Sequence, residues 1–417
     1  MHLLDDIFRG ELHKLFEFSS FVGAAIESEL GAKGIQLTPE QKTRLTEGLR
    51  VIQRDALLGK GIRIQIDDRG ILSVLEGAEG PISGIDIVSS GEKRFKAILE
   101  KLPQLIDTAT DNGRDILLKE IHEQRASQLT GERKRQRAFE RRLQSCWGPA
   151  LDLLGVEVLL AEEIGAEYNA YLRGQLKPVP PRFEMLSRSH ARSCQVASEV
   201  ATLLRHGFAD GAHARWRTMH EIAVEMAIIR DGDDDLATRY LAHDVVQKLR
   251  AARTYQAHCM ELAYQPLSDD EVNHLTEEYG RCIQLYGAEF ANDNGWASAM
   301  LAKPAPRFAD LEARANIQHM RPFYRLACLN VHAGPRGISY RLGLDDSQQG
   351  TLLLAGPSAS GLAEPIQNAA YSLVLATNSL LTFDVNFDYL VAAKVMIALG
   401  DEVFQAADEM LREERHA

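Results

Sequence analysis

Apolar residues recur at helical spacing over most of this chain, with one early stretch and one late stretch that depart from it. The first sixty residues predict two helices. The second has an explicit start, with Thr38 as N-cap, Pro39 at the first helical position and Gln41 three residues after the cap. Gly59 and Gly61 end it. From Ile62 to Val88 the period changes to two: Ile62, Ile64 and Ile66 alternate with Arg63 and Gln65, Asp67-Asp68-Arg69-Gly70 supplies a turn, and a second run covers Ile71 to Leu75. That is a hairpin pattern, with Ile85 to Val88 as a third short strand, so residues 1–90 are expected to form a small α+β module.

Helical character returns from Glu92 to Arg173, and residues 91–176 read as a connecting helical arm. The run Lys177-Pro178-Val179-Pro180-Pro181 cannot continue a helix and marks the strongest boundary. Beyond it, residues 182–417 show helical periodicity broken at Gly207–Gly211, Asp231–Asp235, Gln265–Ser268 and Gly295–Pro306, which predicts an antiparallel helical bundle. Within the bundle, Ile338–Leu342 and Thr351–Ala355 are short β-like runs in a Gly- and Pro-rich region, so a hairpin or flap is expected near 335–361. Two closing helices follow, over about 363–381 and 387–413. The fold class is therefore mainly α: a C-terminal helical bundle behind a small α+β N-terminal module.

At 417 residues and 45% hydrophobic, the chain buries a sizeable core without disulfides or metals. Its formal charge of -12 excludes a surface that attracts nucleic acid everywhere. The local exception is the basic run 125–142, with Arg133, Lys134, Arg135, Arg137, Arg141 and Arg142 on one helical segment. Only Phe139 interrupts it with an aromatic ring, so it reads as a solvated face or a contact for a protein partner rather than a base-stacking platform. Five cysteines with no C-x-x-C spacing point to a reducing compartment. No apolar run reaches the ~20 residues of a membrane span, and the start Met1-His2-Leu3-Leu4-Asp5-Asp6 lacks a signal peptide's basic residues, so a cytoplasmic protein is expected.

Chemistry concentrates in Arg215-Trp216-Arg217-Thr218-Met219-His220-Glu221-Ile222-Ala223-Val224-Glu225. On a helix starting after Gly211, Arg217, Glu221 and Glu225 share a face at i, i+4, i+8, and Arg217 can pair with Glu221. The next helix, over about 235–262, would carry Tyr240, Asp244 and Lys248 in the same way, with His243 one position out of phase. Much later, Tyr324 to His332 forms a helix whose last turn holds His332, where the helix dipole favours the imidazolium.

At Arg217-Thr218-Met219-His220-Glu221 and Tyr324 to His332 the chain resembles a bacterial family of helical domains of unknown function, whose members share an Arg-Thr/Ser-Leu-x-Glu helix and a Tyr-x-x-x-Ser-x-x-x-His helix. The resemblance spans roughly Pro181 to Gly334. Met219 replaces the Leu and Cys328 the Ser. It implies a helical fold and brings no activity with it. More weakly, Arg215 and His220 form an R-x4-H spacing that resembles the HEPN superfamily of helical ribonucleases and defence proteins, in which a histidine moves the 2'-hydroxyl proton and an arginine stabilises charge on phosphate.

Three readings follow. In the first, the polar residues fix the packing of a regulatory or interaction protein with a role in defence or stress. In the second, Arg215 and His220 serve a metal-independent ribonuclease acting on RNA. In the third, Arg217, Glu221, Tyr240, Asp244 and His332 line a pocket for a nucleotide or other small molecule, as an enzyme or a sensor. The candidate catalytic residues are Arg215, Arg217, His220, Glu221 and His332, and the candidate ligand-binding residues are Glu225, Tyr240, His243, Asp244 and Tyr324. Glu221, Glu225, His243 and His332 have donor types that suit a transition metal, but no matched pair of Glu-x-x-His motifs is present and no metal is predicted. No cofactor motif, serine elbow or P-loop is present; the Gly356–Gly361 run lacks the lysine. Self-association is left open by the sequence.

Overall fold

The structure is a computed structural model that describes residues 18–32, 34, 36–57, 87–345, 347–349 and 351–416. The chain divides into two compact units, Met1–Glu132 and Arg133–Ala417. Among the described residues there is helix and no strand.

In the first unit, α1 (Phe18–Ala32) packs on α2 (Pro39–Leu57) through Ile26, Leu30, Leu45 and Leu49. The expected cap of α2 is present: the Gln41 amide donates to Thr38 Oγ1 at 3.3 Å, and the Thr38 amide to Gln41 Oε1 at 2.8 Å. The hairpin expected over Ile62 to Leu75 lies outside the described residues. Of the third strand, Ile87 and Val88 instead open the long helix α3 (Ile87–Gln175). The α+β character of the N-terminal module therefore has no support among the described residues.

The boundary between units falls inside α3, after Glu132, rather than at the prolines. The reason lies in the pattern of the helix's C-terminal part: Leu143, Trp147, Leu151, Leu154, Val158, Ala161, Tyr168 and Leu172 are buried in the bundle core and, with the buried Gly165 between Ala161 and Tyr168, recur at three- and four-residue steps. This part of the expected connecting arm is thus a bundle helix.

The prolines end α3 and start α4 (Pro181–Arg205), with Pro181 at the first helical position, where a missing amide costs nothing. Gly207 then turns the chain in the left-handed region, at φ 79°. A side chain there would also strike the Phe139 ring and the Ser358 carbonyl, so only glycine fits. The central helix α5 runs over Ala209–Arg230, so it starts before Gly211 rather than after it as expected. Trp216, Met219, Ala223, Val224, Met226, Ala227, Ile228 and Ile229 are all buried, so apolar residues cover most of its circumference. A helix of that kind must be enclosed, and α5 packs on α4, on α13 (Ala363–Leu381) and on α11 (Arg321–Val331). Trp216 Nε1 donates to Ser372 Oγ on α13 at 2.9 Å. The last helix, α14 (Phe387–His416), lies on α13.

Beyond α5 the expected single helix over 235–262 is two: α6 (Asp234–Ala242) and α7 (Asp244–His258). The break is at His243, whose buried ring lies 2.9 Å from the Asn292 carbonyl oxygen and edge-on to Phe290. Helix α8 (Asp269–Tyr286) begins with a Ser268/Glu271 capping box and leads through short 3-10 turns to α9 (Ser298–Leu301) and α10 (Phe308–Arg314).

The region expected as a flap is not a hairpin among its described residues. Pro335–Ser339 forms the short helix α12, and the remainder is turns. Its backbone groups are satisfied by side chains and by the bundle instead of by a ladder: Gln349 bonds both the amide and the carbonyl of Arg341, Asp210 accepts from the Leu342 amide at 3.0 Å, and the Gly207 carbonyl accepts from the Ser358 amide at 2.9 Å.

Candidate functional site

The face of α5 carrying Arg217, Glu221 and Glu225 forms one wall of a cleft of about 600 Å³, together with Thr218 and Ile222. Tyr324 from α11 closes one side, and Asp293, Asn294, Pro306, Arg307 and Phe308 form the opposite wall. The i, i+4, i+8 spacing read from the sequence is what places three charged groups in a row along it.

The wall is rigid. Arg217 Nη2 pairs with Glu221 Oε1 at 2.9 Å, and the Tyr324 hydroxyl donates to the same oxygen at 2.7 Å. The Arg217 guanidinium also lies over the Tyr324 ring, 5.0 Å from its centre. One turn further on, the Tyr240 hydroxyl donates to Glu225 Oε2 at 2.7 Å, and the Tyr240 ring is held edge-on by Trp296. Burial, reinforced by the neighbouring charge of Glu221, pushes the Glu225 carboxyl up to about 7, against the smaller opposing effect of the Tyr240 hydrogen bond. The two carboxyls therefore sit in contrasting environments: each accepts from a neutral phenol, but Glu221 is also paired with a guanidinium.

Behind this wall lies a second network. His220 Nε2 is 3.0 Å from Glu312 Oε1, and Arg321 Nη1 donates to Glu312 Oε2 at 2.7 Å. His220 and Glu312 are both fully enclosed. The Arg321 guanidinium stacks on Tyr324 at 5.4 Å, so Tyr324 contacts both networks.

Of the expected site residues, Arg217, Glu221, Glu225, Tyr240 and Tyr324 come together. The others do not. Arg215 pairs with Glu199 of α4 and His220 turns to Glu312 of α10; five residues apart on a helix, they leave it about 140° apart in direction. The joint role of Arg215 and His220 on one phosphate has no geometry here. His332 is exposed at the C-terminal cap of α11. His243 is spent on the Asn292 backbone. Asp244, which begins α7 just after the break at His243, pairs with Lys248 at 2.7 Å on the surface. Of the four metal-donor candidates, only Glu221 and Glu225 line the cleft, and among the described residues no group of three His, Cys, Asp or Glu side chains comes together to hold a metal.

Sequence reading missed Glu312, Arg321, Asn294, Arg307 and Phe308. A signal existed for one of them: Glu312 lies between Leu311 and Ala313 on a short helix starting after Pro306, and a carboxylate within an apolar stretch demands a partner.

Residues 183–350 match the model of a family of unknown function (DUF5677). The matched stretch contains every residue of the cleft, so the resemblance carried by the Arg217–Glu221 and Tyr324 helices is borne out, while the likeness to the HEPN superfamily is not shown. No curated protein and no solved structure matches the chain.

Proposed function

We propose that the helical bundle is a ligand-binding module whose cleft over α5 holds a small polar molecule, with Glu225 as the group that recognises it. The observation that carries this reading is Glu225 itself: a carboxyl raised to about 7, anchored through one oxygen by Tyr240, in a cleft walled by the Arg217–Glu221–Tyr324 network. A volume near 600 Å³ falls within the ~300–1,000 Å³ of small-molecule sites. Three carboxylates against two guanidiniums line it, which favours a neutral or cationic group over a polyphosphate. Because Glu225 changes charge near neutral pH, the affinity for a cationic ligand should rise between about pH 6 and pH 8.

The test is a ligand-observed NMR screen of small polar metabolites against the full chain. Hits should be lost, or weakened at least about tenfold, in Glu225→Gln and in Ile222→Trp, which fills the cleft. Hits that bind both variants like the parent would refute the reading, as would an empty screen across amines, amides and amino acids.

A further inference from the structure

The outer face of α14 carries apolar side chains that nothing in the bundle covers. Its inner face buries Ala393, Met396, Val403 and Ala407. Outside, Phe387 is 78% exposed, Leu390 45%, Val391 45%, Ile397 46% and Phe404 53%. Together they offer on the order of 500 Å² of apolar surface, at the upper end of what monomeric proteins leave bare.

Leu390, Ile397 and Phe404 are seven residues apart, and so are Phe387, Lys394 and Asp401. Seven residues are nearly two turns, so these two rows run side by side along the helix as the two positions of a coiled-coil seam do. The second row holds one base and one acid. Both are exposed, and among the described residues neither forms an ion pair; at about 10 Å apart along one helix they cannot reach each other.

We infer that this face binds a second copy of the chain, α14 against α14, antiparallel about a two-fold axis near Ile397. Orientation follows from charge. C-terminal to Ile397 stand Asp401, Glu402, Asp408 and Glu409, of which Asp408 is paired with Arg412, whereas on its N-terminal side Lys394 stands with Asp388. Parallel pairing would set acid against acid. Antiparallel pairing brings Ile397 to its own copy once, and Leu390 to Phe404 and Lys394 beside Asp401 twice each by symmetry. One stripe is thus complementary to itself, which few other partners would match.

The experiment is sedimentation velocity of the full chain over a concentration series, with circular dichroism to confirm folding. A dimer is expected, with a dissociation constant raised at least tenfold by Ile397→Glu. Lys394→Glu and Asp401→Lys should each weaken it, and the double variant, which restores opposite charges across the axis, should recover most of the parent affinity even if Ile397→Glu fails to fold. A monomer at every concentration overturns the inference, and so does a dimer indifferent to these changes. If Ile397→Cys in a Cys146→Ser background is shielded from thiol reagents in a monomer, other residues of the same chain cover the face, which also overturns it.

Discussion

His220 and Glu221 are consecutive residues of α5, and the structure treats them in opposite ways. His220 turns into the bundle and meets a fully buried carboxylate, Glu312, which Arg321 also holds. Glu221 turns to the cleft and meets a guanidinium and a phenol that remain about a quarter exposed or are open to the cleft. Both networks use one arginine, one glutamate and the same tyrosine ring. What differs is the carboxylate's access to water: Glu312 is sealed and Glu221 is about a quarter exposed, while the two arginines both reach the surface. The inner network can only hold helices together, whereas the outer one keeps a surface on which a ligand can be read.

The sharpest way to break this contrast is Glu312→Ala. It leaves the sealed His220 without its partner while Arg321, which reaches the surface, can turn to water, so it should cost about 3 kcal/mol in urea unfolding, the lower end of the range for splitting a buried ion pair. A loss below about 1 kcal/mol would mean that α10 and α11 are held by apolar contacts alone.

Glu157 on α3 sharpens it from the other side. It is as buried as Glu312 and neither carboxylate oxygen has a partner, so burial pushes it up to about 8. A carboxyl raised in the folded state favours folding fully below its ordinary 4.5 and loses that contribution as pH rises through about 8. Glu157→Met should therefore stabilise the protein at pH 8 by about 2 kcal/mol, and by much less at pH 4.5. The buried histidines run oppositely: burial lowers His190 and His213 to about 4, so their contribution is full above 6.5 and fades as pH falls toward 4. Equal stability of parent and Glu157→Met at pH 8 would show that water reaches this carboxyl.

On the cleft side the same operation should be milder. Arg217→Ala leaves Glu221 with Tyr324 and with cleft water, so about 1–2 kcal/mol is expected, less than for Glu312→Ala. A double-mutant cycle with Tyr324→Phe should show coupling, since both bind one oxygen of Glu221. A loss for Arg217→Ala as large as that for Glu312→Ala would erase the distinction between the two networks.

How far these networks could be read from the chain depends on how local their geometry is. The capping box at Thr38 and Gln41, the start of α4 at Pro181 and the shared face of Arg217, Glu221 and Glu225 all follow from spacings of three or four residues, and each is present. Tyr324 is more than a hundred residues away and was reached only through a family motif. Glu312 was not reached, because its partner His220 lies 92 residues off and no period links them. The break at His243 was equally hidden, since it is made by a backbone carbonyl from a distant loop. Where local alternation suggests strands, at 338–342 and 351–355, the backbone finds other partners: Asp210 at the start of α5 and Gln349 serve Leu342 and Arg341, and the Gln348 carbonyl accepts from the amides of Thr351 and Leu352. The R-x4-H spacing of Arg215 and His220 ignored the helix that carries them, which sends the two side chains to different neighbours.

The smallest effect should come from Glu225→Gln, and its size is what makes it informative. Glutamine keeps an oxygen for the Tyr240 hydroxyl and cannot ionise, so only the proton is taken from the site. Glu225 is raised to about 7, so its contribution to stability is full below 4.5 and is lost as pH rises through 7. Parent and variant should coincide near pH 4.5 and separate above it, with the variant ahead at pH 8 by about 1 kcal/mol, the cost of the buried charge being reduced where the cleft screens it. Ligand binding should respond far more strongly to the same change. A variant that unfolds like the parent but no longer binds would divide α5 as its two faces suggest, into a side that holds the bundle and a side that reads a ligand. If Glu225→Gln instead moved stability as much as Glu312→Ala, the cleft residue would belong to the core and that division would be lost.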